Sequence, residues 1–186
     1  AQAFDVAAAT GIDVEPDSSF NWTVDESFSI EFWVRRNGAV TGDNQVAIGR
    51  TGGGPTWWVG IGGDNDPTVN QNAAVFFLGD NNGGATTTLK GTTDITDGDW
   101  HHVVAVRDRS LGANGQNRLY VDGQEESTSP MDATYDTGFD SATADLNIGY
   151  LDLLSRFRLT GSLDEVALYD RALTPDEIED HFDAGE

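Results

Sequence analysis

The chain has 186 residues and no cysteine, and its 32 acidic residues outnumber its 10 basic ones, which gives a net charge of −22. This length fits a single domain spanning residues 1–186, and the absence of cysteine excludes disulfides, thiolate metal sites and a cysteine nucleophile. The charge excludes a nucleic-acid-binding protein, because a phosphate backbone requires a basic surface, and no apolar run of about 20 residues is present for membrane insertion.

The acidic excess leaves two explanations open. Aspartate outnumbers glutamate, arginine outnumbers the single lysine (Lys90), and the acids are spread evenly along the chain. This pattern favours a halophilic surface, since salt screens the self-repulsion of so many like charges. Aspartate and asparagine in glycine-rich loops are also oxygen ligands of the kind that calcium prefers, which favours a calcium-binding protein.

Short alternating segments between clusters of glycine, asparagine, aspartate and threonine are typical of β-strands. In the clearest one, residues 27–36, every second residue is apolar, so that Phe28, Ile30, Phe32 and Val34 share the face expected to meet a core. Further strands are predicted over residues 45–49, 56–61, 73–78, 101–107, 118–121, 145–150, 157–160 and 163–169.

Turn and cap signals complete the secondary-structure prediction. Asp122 and Gly123 directly follow the strand over 118–121 and indicate a two-residue hairpin turn. Thr174, with proline next and Glu177 three residues later, forms a capping box that predicts one short C-terminal helix. Many strands without intervening helices indicate a sandwich of two sheets rather than alternating β/α units.

Three segments resemble laminin-G-like domains of the laminin G 3 type, in the concanavalin A-like lectin/glucanase superfamily. In family order they are residues 28–34 (FSIEFWV), 99–106 continued by 118–123 (DWHHVVAV and RLYVDG), and 161–174 (GSLDEVALYDRALT). The resemblance covers nearly the whole chain and implies an all-β, two-sheet antiparallel jelly-roll sandwich with a short C-terminal helix. It does not specify a function, because this fold carries lectins, adhesins, glycosidases and passive spacers.

The chain is not expected to be an enzyme. Glycosidases of this superfamily carry paired carboxylates on one strand in a Glu-x-Asp-x-x-Glu pattern, which the sequence lacks. The nearest pairs, Glu26 with Glu31 and Asp164 with Glu165, have odd spacings that send the two side chains to opposite faces of a strand. The adjacent histidines of the second motif are expected to pack and hydrogen-bond at a strand start, and His181 on the helix is expected to be solvated.

A structural calcium ion is a further implication of the resemblance. Asp164 matches the position that supplies a carboxylate to calcium in related glucanases, where the other ligands come largely from backbone carbonyls near the first strand, here around Phe4 and Asp5. Calcium takes six to eight oxygen ligands, so such an ion would join the first strand to the last. The alternative is that Asp164 accepts hydrogen bonds from loop amides and no ion is bound.

The candidate ligand-binding residues lie around a glycine-rich loop over residues 51–55. Trp57 and Trp58 are adjacent, so in a strand their rings point to opposite faces, and a ring outside the core would be free to stack on a sugar. The hydroxyl groups of that sugar would bond to Asp64, Asp66, Asn81 and Asn82. The alternative is that both rings are buried, one in each of two layers or at a subunit contact. By the resemblance, Trp33 belongs to the sheet rather than to a site.

Two functions remain open. The first is a non-catalytic extracellular module, from a surface protein of a salt-rich habitat, that binds a carbohydrate or cell-surface glycan. The second is a structural component of an oligomeric surface assembly, such as a virion turret or spike or a surface-layer spacer, whose partners are copies of the chain or other surface proteins. Both place the chain outside the cell, on a cell or virion surface.

Overall fold

The computed structural model describes residues 2–4, 11–51, 56–80, 86–111, 116–128, 135, 137–141, 143–153 and 157–185. These residues form twelve strands and one α-helix, α1 (Pro175–Gly185). The strands are β1 (Gln2–Phe4), β2 (Ile12–Val14), β3 (Phe28–Asn37), β4 (Gln45–Thr51), β5 (Thr56–Ile61), β6 (Ala74–Gly79), β7 (Thr86–Lys90), β8 (Asp97–Asp108), β9 (Gln116–Val121), β10 (Gln124–Thr128), β11 (Leu146–Ile148) and β12 (Gly161–Tyr169).

The strands pair into two six-stranded antiparallel sheets. The first sheet has the order β1-β12-β3-β8-β9-β10, and the second has the order β2-β11-β4-β5-β6-β7. Neighbours in a sheet are therefore often distant in sequence, as expected for a jelly-roll sandwich. The predicted two-sheet architecture with one short C-terminal helix is confirmed.

The core lies between the inner faces of the sheets. In β3 the predicted alternation is present, with Phe28, Ile30, Phe32 and Val34 at most 1% exposed on the inner face. Partners from the same core, drawn from both sheets, include Ile48, Trp57, Phe76, Val103 and Leu119. Since β3 lies between β12 and β8, its other face, which carries Glu31 and Trp33, occupies the middle of the outer surface of the first sheet.

Helix α1 covers part of the outer face of the first sheet. Helix α1 packs on the first sheet through Ile178, which is fully buried against Val104 and Tyr120. The predicted capping box sets the start of this helix: the Glu177 carboxylate accepts from the Thr174 backbone N–H at 2.9 Å, and the Thr174 hydroxyl accepts from the Glu177 N–H at 3.3 Å. In the part of the chain that the structure describes, no helix has the length and apolar character needed to cross a membrane.

The predicted hairpin turn is confirmed, with Asp122 at φ 49° and Gly123 at φ 74°, the left-handed pair that suits a two-residue turn between β9 and β10.

The prediction of a strand over residues 157–160 is wrong. Phe157 has a φ of 62°, which interrupts an extended chain, and Arg158 forms only an isolated parallel bridge to Val46. Four strands were not predicted: β1, β2, β7 and β10.

Candidate functional site

Two neighbouring cavities lie on the outer face of the first sheet, beside the C-terminal end of α1. Their volumes are about 480 Å³ and about 140 Å³. Both are lined by Trp33 of β3, Glu165 of β12 and Gly185 of α1, so they form one continuous depression. We call the two cavities together the outer cleft. Strand pairing brings its parts together, since Trp33 lies opposite Asp164 in β12 on one side and opposite His102 in β8 on the other.

Glu31 is the centre of a hydrogen-bond network beneath the larger cavity. Its side chain is 8% exposed, and its Oε1 accepts from His102 Nε2 at 2.7 Å and from His181 Nδ1 at 2.9 Å. Its Oε2 accepts from the Tyr169 hydroxyl at 2.6 Å. A carboxylate accepts and does not donate, so His102 carries its proton on Nε2 and His181 carries one on Nδ1. Within the described residues, the buried Nδ1 of His102 has no hydrogen-bond partner.

The charge states at this network follow from burial and hydrogen bonding. Burial raises the pKa of Glu31, but the hydrogen bonds from His102, Tyr169 and His181 outweigh it and bring the pKa to about 2. Burial and the neighbouring Glu31 carboxylate together raise the pKa of Tyr169 to about 12. At neutral pH the cleft therefore contains an ionised carboxylate next to a protonated phenol.

An aromatic stack forms one wall of the outer cleft. The Trp33 ring lies 5.8 Å from the ring of Phe182 at 17° and 5.1 Å from the ring of His102. A Cβ atom at Gly185 would collide with the Trp33 indole, so the last turn of α1 approaches this closely because the residue there is glycine. Helix and sheet are thus joined at the cleft by stacked rings as well as by the His181–Glu31 hydrogen bond.

The smaller cavity combines two tryptophans with two acids. It is lined by Trp33, Trp100, Asp164, Glu165 and Gly185. A β-bulge separates Asp164 from Ala167, and within it Glu165 adopts a φ of 49° and is exposed. Bulges of this kind redirect a side chain out of the regular alternation of a strand. The bulge places both carboxylates at one cavity, although two neighbours in a regular strand would diverge.

The model of the Laminin G 3 family, described as the concanavalin A-like lectin/glucanases superfamily, matches residues 7–179. The chain belongs to this family. Its match covers most of the 186 residues and confirms the resemblance inferred from the three motifs. No curated protein matches the sequence of this laminin G 3 chain.

Solved structures agree with the family in fold. The binding domain of Paraclostridial Mosquitocidal Protein 1 has a TM-score of 0.67 and 17% identity, over 94% of this chain and 41% of that one. The binding domain of Botulinum Neurotoxin DC in complex with SialylT has a TM-score of 0.64 and 17% identity, over 95% of this chain and 39% of that one. A third similar structure is domain 4 of AbnA, an extracellular arabinanase from Geobacillus stearothermophilus, in complex with arabinotriose. It has a TM-score of 0.62 and 22% identity, over 91% of this chain and 71% of that one. The laminin G 3 chain spans about two fifths of the length of the toxin binding domains that it matches.

Of the two alternatives for the tryptophans of β5, the structure shows the one in which both rings are buried, one in each of two layers. The two rings do point to opposite faces, but Trp57 is 0% exposed in the core, 5.4 Å from the ring of Trp22, and Trp58 is 9% exposed. Trp58 stacks on Phe77 at 5.9 Å, in an apolar cluster on the outer face of the second sheet that also includes Leu151. Because this cluster covers the second ring, neither tryptophan offers a face to a sugar.

Of the predicted polar partners, Asp64 and Asp66 lie in loops away from the outer cleft. The Asp64 carboxylate accepts from the Gly42 N–H at 2.6 Å, and the Asp66 carboxylate accepts from Asn44 Nδ2 and from the Thr68 N–H, each at 2.9 Å. Both carboxylates thus hold their own loops together, and their role toward a ligand stays a prediction. Asn81 and Asn82 lie outside the described residues.

The calcium site also stays a prediction. Asp164 accepts from the Glu165 N–H at 3.1 Å, which is the kind of local amide contact named as the alternative. Among the described side chains, no group of three or more histidines, aspartates and glutamates is arranged to hold a metal ion. Asp5, the expected neighbour of such an ion, lies outside the described residues.

The histidines have three different environments. His101 lies between Asp122 at 2.8 Å and Asp97 at 3.1 Å, and hydrogen bonding to Asp122, opposed by burial and reinforced by Asp97, raises its pKa to about 9. His101 and His102 therefore hydrogen-bond as expected, but β8 begins at Asp97 and places them inside the strand rather than at its start. The prediction of a solvated His181 is wrong. Only 37% of its side chain is exposed, and its ring donates a hydrogen bond to the buried Glu31. The signal available was its helical position, since His181 shares a face with Ile178, which packs on the sheet.

Proposed function

We propose that this laminin G 3 chain is a non-catalytic glycan-binding module whose ligand occupies the outer cleft. The observation that carries the proposal is the meeting of the half-buried Trp100 with Asp164 and Glu165 in one open cavity, which the 8% exposed Trp33 also lines. Aromatic rings provide the apolar surface on which the C–H faces of a sugar pack, and carboxylates accept hydrogen bonds from its hydroxyl groups. The complexes of domain 4 of AbnA with arabinotriose and of the Botulinum Neurotoxin DC binding domain with SialylT support the proposal.

A binding role fits the cleft better than glycoside hydrolysis does. A glycosidase needs a carboxylic acid with a raised pKa to protonate the leaving group, together with a second carboxylate at a suitable distance. Glu31, the most buried acid of the cleft, instead has its pKa lowered to about 2 and is engaged by three donors. An acid held ionised in this way is a poor proton donor near neutral pH.

The binding test uses Trp100, which is half-buried at the cleft. It belongs neither to the core between the sheets, nor to the apolar contact of Ile178 under α1, nor to the apolar cluster around Trp58. We expect Trp100→Ala to weaken the oligosaccharide that scores highest on a glycan array by about tenfold, because a stacking surface is removed. Titration calorimetry measures the change. The matched control is Trp58→Phe, which alters a tryptophan on the opposite sheet and is expected to leave the affinity within about twofold.

Two outcomes would contradict the proposal. One is an array that stays silent in both low and molar salt. The other is an equal loss of affinity in the Trp58→Phe control, which would place the ligand elsewhere or indicate a general loss of structure. A silent array together with a stable oligomer in molar salt, measured by light scattering, would favour the structural component of a surface assembly.

We further propose that the protein acts at a cell or virion surface in a salt-rich habitat, which the net charge of −22 supports. Self-repulsion among so many acids destabilises the compact state when salt is low, and screening removes that penalty. We therefore expect the melting temperature to rise by on the order of 10 °C between about 0.05 M and about 2 M NaCl. Differential scanning calorimetry checks this, and a flat response would contradict salt adaptation.

A further inference from the structure

We infer that the outer cleft selects glycans that carry protonated amino groups and rejects glycans that carry carboxylates. This inference rests on the proposed glycan-binding function and adds the chemical class of the ligand. It follows from the charges, the free hydrogen-bonding groups and the aromatic surfaces that line the two cavities.

Within the described lining, the acidic residues are not matched by lysine or arginine, and His181 is the histidine that lines the larger cavity. Glu31, Asp164 and Glu165 contribute carboxylates, and no lysine or arginine is among the described residues that line either cavity. A uronic or sialic acid bound here would bring its carboxylate close to these acids without a lysine or arginine of the lining to neutralise it, whereas an ammonium group would be attracted by them. The surrounding protein, with its net charge of −22, adds to this preference.

Glu165 is the carboxylate best placed to reach a ligand. It lines both cavities and is exposed at the bulge of β12, and within the described residues its carboxylate accepts no hydrogen bond. By contrast, the Glu31 carboxylate already accepts from three side chains, and Asp164 accepts from the Glu165 N–H. Glu165 therefore has its full capacity to accept charge-assisted hydrogen bonds from an amine.

The half-buried tryptophan of the smaller cavity also suits a cation. The ring of Trp100 attracts positive charge through its faces. Trp100 already holds one cation in this way, because the Arg35 guanidinium carbon lies 4.9 Å from its ring centroid. Arg35 lies outside both sets of lining residues, and the terminal amine, whose hydrogen bond lowers the pKa of Asp164, is a second cation, so three carboxylates stand against two cations. The balance at the cleft remains negative.

The test compares four tetrasaccharides by titration calorimetry at mildly acidic pH, where amines are protonated, in about 0.5 M NaCl to screen the net charge. The four are the β-1,4-linked tetramers of glucosamine, of N-acetylglucosamine and of glucose, and the tetramer of galacturonic acid. We expect the glucosamine tetramer to bind at least about tenfold more tightly than the glucose tetramer, and the galacturonic acid tetramer to bind most weakly.

Matched variants separate the cleft from the overall charge. Glu165→Gln is expected to weaken both tetramers but to lower the ratio of the glucosamine-tetramer affinity to the glucose-tetramer affinity by about fivefold, because the glutamine amide oxygen still accepts from a hydroxyl group but carries no charge. Glu15→Gln makes the same substitution at an exposed residue that follows β2 in the other sheet, and is expected to leave both affinities within about twofold.

The inference and the proposed function fail in different ways. If the glucose tetramer binds in a manner that depends on Trp100 and the glucosamine tetramer binds no better, the inference is wrong and the glycan-binding function stands. Equal losses in Glu165→Gln and Glu15→Gln would likewise overturn the inference alone, because the preference would then come from net charge. If none of the four tetramers binds, both are overturned for sugars of these classes.

Discussion

Replacement of Trp57 by alanine is expected to lower the free energy of unfolding by about 4 kcal/mol. Trp57 is fully buried in the core and lies against Trp22, so the truncation removes a large apolar surface and leaves a cavity between the sheets. Guanidinium denaturation followed by circular dichroism gives the change directly, provided that all variants are compared at one salt concentration.

Two further variants make this result specific. Trp57→Phe is expected to cost about 1 kcal/mol, because the indole N–H is buried without a hydrogen-bond partner in the described residues and its removal offsets part of the lost packing. Trp100→Ala, at the half-buried ring of the outer cleft, is expected to cost no more than about 1 kcal/mol while weakening glycan binding. A loss below about 1 kcal/mol for Trp57→Ala would contradict its place in the core.

The contrast between Trp57 and Trp58 shows how far local sequence patterns predict this molecule. Their adjacency in a strand correctly predicts rings on opposite faces, because side chains alternate along an extended chain. What covers the second ring depends on Leu151 and Phe77, which come from other parts of the sequence. The alternation of side chains therefore predicts the face to which each ring points. Whether a ring on an outer face is buried depends on tertiary contacts, which this local pattern does not predict.

The strands divide in the same way. The strong alternation of β3 predicts its length and faces because the strand is central and contacts the core on one side. Strands β7 and β10, which went unpredicted, lie at sheet edges and are rich in polar residues, since an edge strand has less apolar surface to bury. Their assignment needs the partner strand, which sequence periodicity alone does not identify.

The outer cleft was beyond sequence reasoning for a related physical reason. Glu31 and His181 are 150 residues apart and meet because α1 folds back over the first sheet. The capping box predicts that helix, and the family motif predicts β12, but neither indicates which face of the sheet the helix covers. Glu165 reaches the cleft because it adopts a left-handed backbone conformation in a bulge. Glutamate seldom adopts this conformation, so the sequence did not predict it.

Replacement of Glu31 by alanine is expected to destabilise the fold by about 3 kcal/mol at neutral pH. The carboxylate accepts from His102, Tyr169 and His181. Its loss leaves the buried donor of His102 and the half-buried donors of Tyr169 and His181 without this partner, and it detaches α1 from the sheet at one point. Glu15→Ala removes an exposed glutamate and is expected to change stability by less than about 0.5 kcal/mol. Denaturant titration of both variants against the unaltered protein checks the difference.

The pH dependence identifies the carboxylate as the cause. The pKa of Glu31 falls from 4.5 to about 2 on folding, so its stabilisation is complete above about pH 4.5 and is lost as the pH falls through about 2. The difference in unfolding free energy between the unaltered protein and Glu31→Ala should therefore narrow by about 2 kcal/mol between about pH 6 and about pH 3. Titratable groups remote from Glu31 behave alike in both proteins and cancel in this difference, which therefore reports Glu31 together with its donors His102, Tyr169 and His181. A gap that stays constant over this interval would mean that Glu31 stabilises the helix contact by packing, and that its charge and the three donors around it contribute little.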